Sequence, residues 1–181
     1  MPDVIENETC PFCHKKTLTL MEDTMDIPYF GKIFLMSMNC SNCNFNKSDV
    51  ESEEFRDPCK LTFTIESEED LKVRVVKGSE ANINIPQLKM SVESGPNSNG
   101  YVSNIEGLLS RFKHILEEQR DNADEDDVRK KAKSLLKRLW KVECGDEPLK
   151  IIIEDQTGNS AIISDKTIVE KLKVSTKLKK K

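Results

Sequence analysis

Two Cys-x-x-Cys pairs constrain this chain more than any other feature: Cys10-Pro11-Phe12-Cys13 and Cys40-Ser41-Asn42-Cys43, with 26 residues between them. Four thiolates close a tetrahedral shell around zinc and leave no coordination position open for a substrate water. Each pair fits a tight turn whose backbone N–H groups face the sulfurs. The spacer fits a β-ribbon of about ten residues out, a turn, and about ten back. Thr17 to Met21 runs out, Asp26-Ile27-Pro28-Tyr29-Phe30 forms the far end, and Gly31 to Met38 returns. No secretory leader is read at the N-terminus, so a disulfide framework is disfavoured. The expected cofactor is one structural zinc ion, held by Cys10, Cys13, Cys40 and Cys43. His14 is an alternative to Cys13, though four cysteines make it unnecessary. Residues 1–48 bury too little apolar surface to fold without metal. Cys59 and Cys144 lie in no ligand motif and read as free thiols in a core; a disulfide between them requires the fold to bring them together, which the sequence does not decide.

The remainder reads as one β-rich domain. Leu61, Phe63 and Ile65 alternate with threonines, as in a half-buried strand. Leu71, Val73 and Val75 repeat the pattern, as do Ile83 with Ile85, and Leu88, Met90 and Val92. Strands recurring about every ten residues predict a sandwich or barrel-like layer. Asn46 to Arg56 reads as a polar link out of the zinc module. After a loop at Ser94 to Gly100, Ser103 and Glu106 fit a capping box. Ile105, Leu108, Leu109, Phe112, Ile115 and Leu116 follow at helical spacing, then Val128, Ala132, Leu135, Leu136, Leu139 and Trp140 along a second helix that stops near Gly145. Strand alternation returns at Leu149, Ile151 and Ile153, and Ala161 to Ile163 forms a short final strand. The expected organisation is a zinc ribbon over 1–48, a β-sandwich domain over 49–165 with a helical hairpin at 103–144, and a lysine-rich tail over 166–181. Ile168, Val169, Leu172 and Val174 allow some helix or strand within that tail.

Charge and missing motifs narrow the function. The formal net charge is -4, which disfavours non-specific nucleic-acid binding because counterion release needs clustered Lys and Arg. The seven lysines from Lys166 to Lys181 leave some room for it. No apolar run approaches a membrane span. The two histidines, His14 beside a zinc cysteine and His114 on the first long helix, read as surface or packing residues rather than as part of a facial metal triad. No glycine pattern cradles phosphate. A non-enzymatic, cytoplasmic protein, monomeric when free, is expected.

Several motifs together resemble the zinc-finger ZPR-one family. The two Cys-x-x-Cys pairs flank Asp26-Ile27-Pro28-Tyr29-Phe30. Val76-Lys77-Gly78-Ser79 and Ile83-Asn84-Ile85-Pro86 are similar to the segment after that family's finger. Ile105-Glu106-Gly107-Leu108-Leu109 resembles its helix opening, and Asp155 with Gly158-Asn159-Ser160 its final turn. The two threonines usual before that helix are replaced by Ser103 and Asn104. Only one finger-plus-domain module is visible, as in the archaeal single-module form. The resemblance implies a double-stranded β-helix sandwich with a helical hairpin, and a chaperone or adaptor role toward translation elongation factor one-alpha. The alternative is a zinc-ribbon nucleic-acid binder of transcription or ribosome type. Ile27, Pro28, Tyr29 and Phe30 at the ribbon tip are candidate partner anchors, because exposed aromatics often anchor interfaces. Their competing role is to dock the ribbon on the β domain.

Overall fold

A computed structural model describes residues 2–28 and 30–172. The chain opens with four strands: β1 (Asp3–Thr9), β2 (Lys16–Ile27), β3 (Gly31–Cys40) and β4 (Asn46–Ser52). They form one antiparallel sheet in the order β1-β2-β3-β4. The β2–β3 register runs from Leu18 opposite Cys40 to Ile27 opposite Gly31, so the expected ribbon is present. It is wider than expected. Residues 46–52 are not a link but a strand, paired with β3 from Ile33 to Asn39. Only Val50 of that strand is buried, so its sequence carries no apolar alternation. The sheet therefore continues beyond residue 48.

The second unit is a two-layer sandwich. Its strands are β5 (Cys59–Ile65), β6 (Arg74–Lys77), β7 (Asn82–Ile85), β8 (Met90–Val92), β9 (Tyr101–Asn104), β10 (Leu149–Asp155), β11 (Ala161–Ile162) and β12 (Ile168–Lys171). One sheet has the order β12-β5-β10-β7-β8 and the other β11-β6-β9. Alternation in β5 and β10 puts Leu61, Phe63, Ile65, Leu149, Ile151 and Ile153 into the core. The sheet includes β12, so order continues past residue 165; residues 173–181 of the expected tail lie outside the described residues.

Three local expectations give way. Leu71 belongs to a 3-10 turn, Glu68–Lys72, and the strand begins only at Arg74. The Asp70 carboxylate explains this, because it accepts from the N–H groups of Glu66 and Ser67 and from the Ser67 hydroxyl, winding the chain. Leu88 lies in a second such turn, Pro86–Leu88, seeded by Pro86. Ser103 lies in β9, opposite Val75, and the helix cap moves to Asn104, whose side chain accepts from the Gly107 N–H at 2.8 Å.

The helical hairpin is present as α1 (Ile105–Asn122) and α2 (Asp126–Glu143). Leu108, Leu109, Phe112 and Leu116 bury against the sandwich core with Leu139 and Val142. A Lys113–Glu143 ion pair of 3.1 Å crosses between the helices. Trp140, expected on the packed stripe, is 57 % exposed; Ile115 and Val128 are also exposed. Among the described residues, no helix is long and apolar enough to cross a membrane.

Candidate zinc centre and the seam behind it

The two Cys-x-x-Cys pairs fold into matching knuckles. Cys10 O accepts from His14 N and Cys10 N donates to Lys15 O; Cys40 O accepts from Asn44 N and Cys40 N donates to Phe45 O, all at 2.9–3.0 Å. Each knuckle turns through a left-handed residue directly after its second cysteine, His14 (φ 57) and Asn44 (φ 58). His14 thus serves the turn, and its side chain is exposed outside the sulfur cluster. The Phe12 and Phe45 rings meet with centroids 4.4 Å apart and tilted by 35°, and Phe45 packs against Cys10, Leu18 and Cys40.

All four sulfurs lie within 4.8 Å of one another. Cys10 to Cys43 and Cys13 to Cys40 are each 3.7 Å. A tetrahedron with bonds of about 2.3 Å has sulfur edges of roughly 3.8 Å, so the donor set fits zinc. The sulfurs are not bonded to each other. Thr17 Oγ1, 3.3 Å from Cys40 Sγ, draws that thiol down to about 6, against burial and with help from the N–H groups of Cys43 and Asn42. At Cys43 the Phe45 N–H favours the thiolate, but burial and the neighbouring thiols push it up to about 12. Four packed sulfurs resist shedding all their protons unless a cation shares the site.

The opposite end of the ribbon corrects the expectation of an exposed tip. Ile27 and Phe30 are buried, not free anchors, and pack with Ile33 and Val50 of the ribbon and Val76 and Ala161 of the sandwich. The Arg56 guanidinium stacks over the Phe30 ring at 4.2 Å and donates to Phe30 O. Pro28 is exposed. Tyr29 lies outside the described residues. The docking role holds for the two residues whose burial is clear.

Polar contacts complete this seam. Asn159 Oδ1 accepts from Ser52 N at 3.0 Å, and Asn99 Oδ1 accepts from Ser48 N at 3.0 Å. Asp49 accepts from the Ser79 hydroxyl at 2.7 Å and the Ser79 N–H at 3.2 Å. Behind them Gly78 N donates to Ser160 Oγ, which donates in turn to the buried Asp155 carboxylate. Gly158 has φ +73, and a Cβ there would meet Arg56 O at 2.7 Å and Asp57 O at 2.8 Å. The segments 76–79 and 158–160 therefore do more than turn the chain: they clamp β4. Asp49, which holds Ser79, and Asn99, which holds Ser48, carry no local sequence signal.

This arrangement has counterparts in known proteins. The ZPR1 zinc-finger domain matches residues 4–54, and the ZPR1 jelly-roll domain matches residues 69–179. The chain belongs to the ZPR1 family. A ZPR1-like protein of Methanocaldococcus jannaschii is 41 % identical over 162 residues, covering 89 % of this chain and 82 % of that protein. One from Pyrococcus horikoshii is 37 % identical, covering 90 % and 75 %. The Schizosaccharomyces pombe protein named zinc finger chaperone is 32 % identical over 84 % of this chain but only 33 % of its own length. The ZPR1 finger encloses all four clustered cysteines, so zinc is the cofactor that both the family and the sulfur geometry indicate. The ZPR1 jelly roll takes in both helices and the segments 76–79 and 158–160 on the sandwich side of the seam.

Proposed function

We propose that this ZPR1-family chain is a zinc-dependent protein-binding module, with zinc on Cys10, Cys13, Cys40 and Cys43, acting as chaperone or adaptor for translation elongation factor one-alpha. The observation that carries the protein-binding part is the relative named as a zinc finger chaperone, similar over most of this chain. The elongation factor comes from the family resemblance. The seam supports a module that offers ribbon and hairpin together on one frame. Charge supports protein over nucleic acid: residues 2–54 hold ten acidic and four basic side chains, the wrong sign for a phosphate backbone. The ribbon also exposes Val4, Ile5, Phe12, Met21, Met25 and Met38, apolar side chains suited to a protein partner. With Ile27 and Phe30 buried, these replace the tip as the candidate contact.

Calorimetry with purified elongation factor, in its GDP and GTP states, tests this. Zinc-loaded protein is expected to bind, and Phe12→Ala to weaken binding by about 1–2 kcal/mol while zinc stays bound. Folded, zinc-loaded protein that binds neither state sinks the elongation-factor reading. A gel shift with RNA that weakens steeply with salt would instead establish the nucleic-acid alternative.

A further inference from the structure

A recess of about 290 Å³ lies between α1 and the loop that holds the ribbon, lined by Lys77, Ser98, Asn99, Tyr101 and Arg111 among others. Lys77 is 4 % exposed. Its ammonium donates to Gly78 O at 3.0 Å, with Asn99 O at 3.4 Å and Ser79 O at 3.5 Å. Among the described residues no carboxylate comes within 4 Å of it, nor within 4 Å of the Arg111 guanidinium. Asp155 and Asp49 act on Lys77 only from farther off, while Arg111 repels it. Two cations without ion-pair partners thus share one recess, in a chain where acidic residues outnumber basic ones 32 to 28.

The recess is also pre-arranged. The Arg111 guanidinium lies 4.0 Å from the Tyr101 ring centroid, and the Lys77 ammonium lies 5.9 Å from the same ring. Stacking on an aromatic face fixes a guanidinium while leaving its in-plane N–H edge to donate. Ser98 and Asn99 add polar groups at the rim. An anion here would accept from Arg111, while Lys77, its three N–H groups directed at Gly78 O, Ser79 O and Asn99 O, would act through its charge alone.

We propose that this recess is an oxyanion site, with Arg111 as the fork, Tyr101 as its support and Lys77 as the buried second charge. The oxyanion is either the carboxylate of an acidic side chain on a bound protein or a free phosphate. The site does not depend on which protein the module serves. Asn99 lines the recess and also holds β4 through Ser48, so occupancy acts beside the ribbon's attachment.

The test is an NMR titration of the full zinc-loaded chain. Acetate, a blocked Gly-Glu-Gly tripeptide and inorganic phosphate are each added against sodium chloride at matched ionic strength. Saturable shifts are expected at Ser98, Asn99, Tyr101 and Arg111. Arg111→Gln, on an exposed helix position, is expected to weaken them at least tenfold with the melting temperature unchanged; Arg111→Lys should lose less. Saturation by acetate and the tripeptide assigns the site to a partner's carboxylate, and saturation by phosphate alone assigns it to the free anion. Shifts no different from chloride, or binding that survives Arg111→Gln, overturn the proposal.

Discussion

The ribbon and the sandwich are both β-sheets, yet they are stabilised in opposite ways. The sandwich closes two sheets and two helices over nineteen buried apolar residues, from Leu61 to Ile162. The zinc end of the ribbon buries only Cys10, Leu18 and Cys40. Between its ends, β2 exposes Met21, Glu22, Thr24, Met25 and Asp26 in turn. Its other end borrows a core, because Ile27, Phe30, Ile33 and Val50 need Val76 and Ala161 to complete their cluster. Hydrophobic burial thus holds one unit throughout, whereas the other is fixed by metal at one end and by docking at the other. A sheet with little core of its own remains ordered when both ends are tied.

The largest expected effect comes from the metal. Structural zinc contributes on the order of 10 kcal/mol or more. Chelation, or Cys40→Ala, should abolish amide protection over residues 10–20 and 36–45 in hydrogen exchange. Ile27, Ile33 and Val50 should stay protected, because their cluster is shared with the sandwich. Loss of protection across the sandwich as well would break the contrast. Next is the seam. Phe30→Ala should cost about 3–5 kcal/mol as a cavity, and Asn159→Ala about 1–3 kcal/mol by leaving Ser52 N unpaired. Both should loosen the ribbon with zinc content unchanged, seen as a broader distance distribution in small-angle scattering. Phe63→Ala, in the sandwich, should instead lower the stability of the whole chain. Unchanged scattering in the seam variants would mean the zinc end alone sets the ribbon's position.

The smallest effect is a pH dependence confined to the sandwich. Burial of Asp70 opposes its charge, but the Glu66 N–H and the Lys166 ammonium at 3.0 Å hold its carboxyl below the usual range. The sign follows. This contribution is complete above the ordinary carboxylate value of about 4 and is lost as pH falls through the lower folded value. Lys166, raised by the same pairing, contributes fully below its ordinary value and loses that contribution as pH rises through its folded one. Asp70→Asn should flatten the acid limb of denaturation curves by about 1 kcal/mol. An unchanged acid limb would show that the Asp70 clasp adds nothing.

Sequence reading reached what repeats locally. Four cysteines at fixed spacing, the alternation of β5 and β10, and two apolar helical stripes lie within short windows. It failed where one element borrows its reason from another. β4 has a single inward residue, Val50, and is a strand because β3 and the sandwich flank it. β1 is exposed throughout, so no apolar period marks it. The Leu71-Val73-Val75 alternation is real, yet the Asp70 carboxylate winds its first half into a turn. Phe30 reads as an anchor in the sequence because its covering surface, Val76 and Ala161, lies far along the chain. The same distance hid the joint roles of Asp49, Asn99 and Asn159.

The Ser52–Asn159 hydrogen bond also sets an order of events at the ribosome, since its partners are 107 positions apart. At about 5–20 residues per second, roughly 5–20 s of synthesis separate them. The cysteine knuckles are complete by Phe45 and are ready for metal well before Asn159 is made. The nascent ribbon therefore meets zinc before it meets its seat, and cellular zinc supply acts on this fold at its earliest stage.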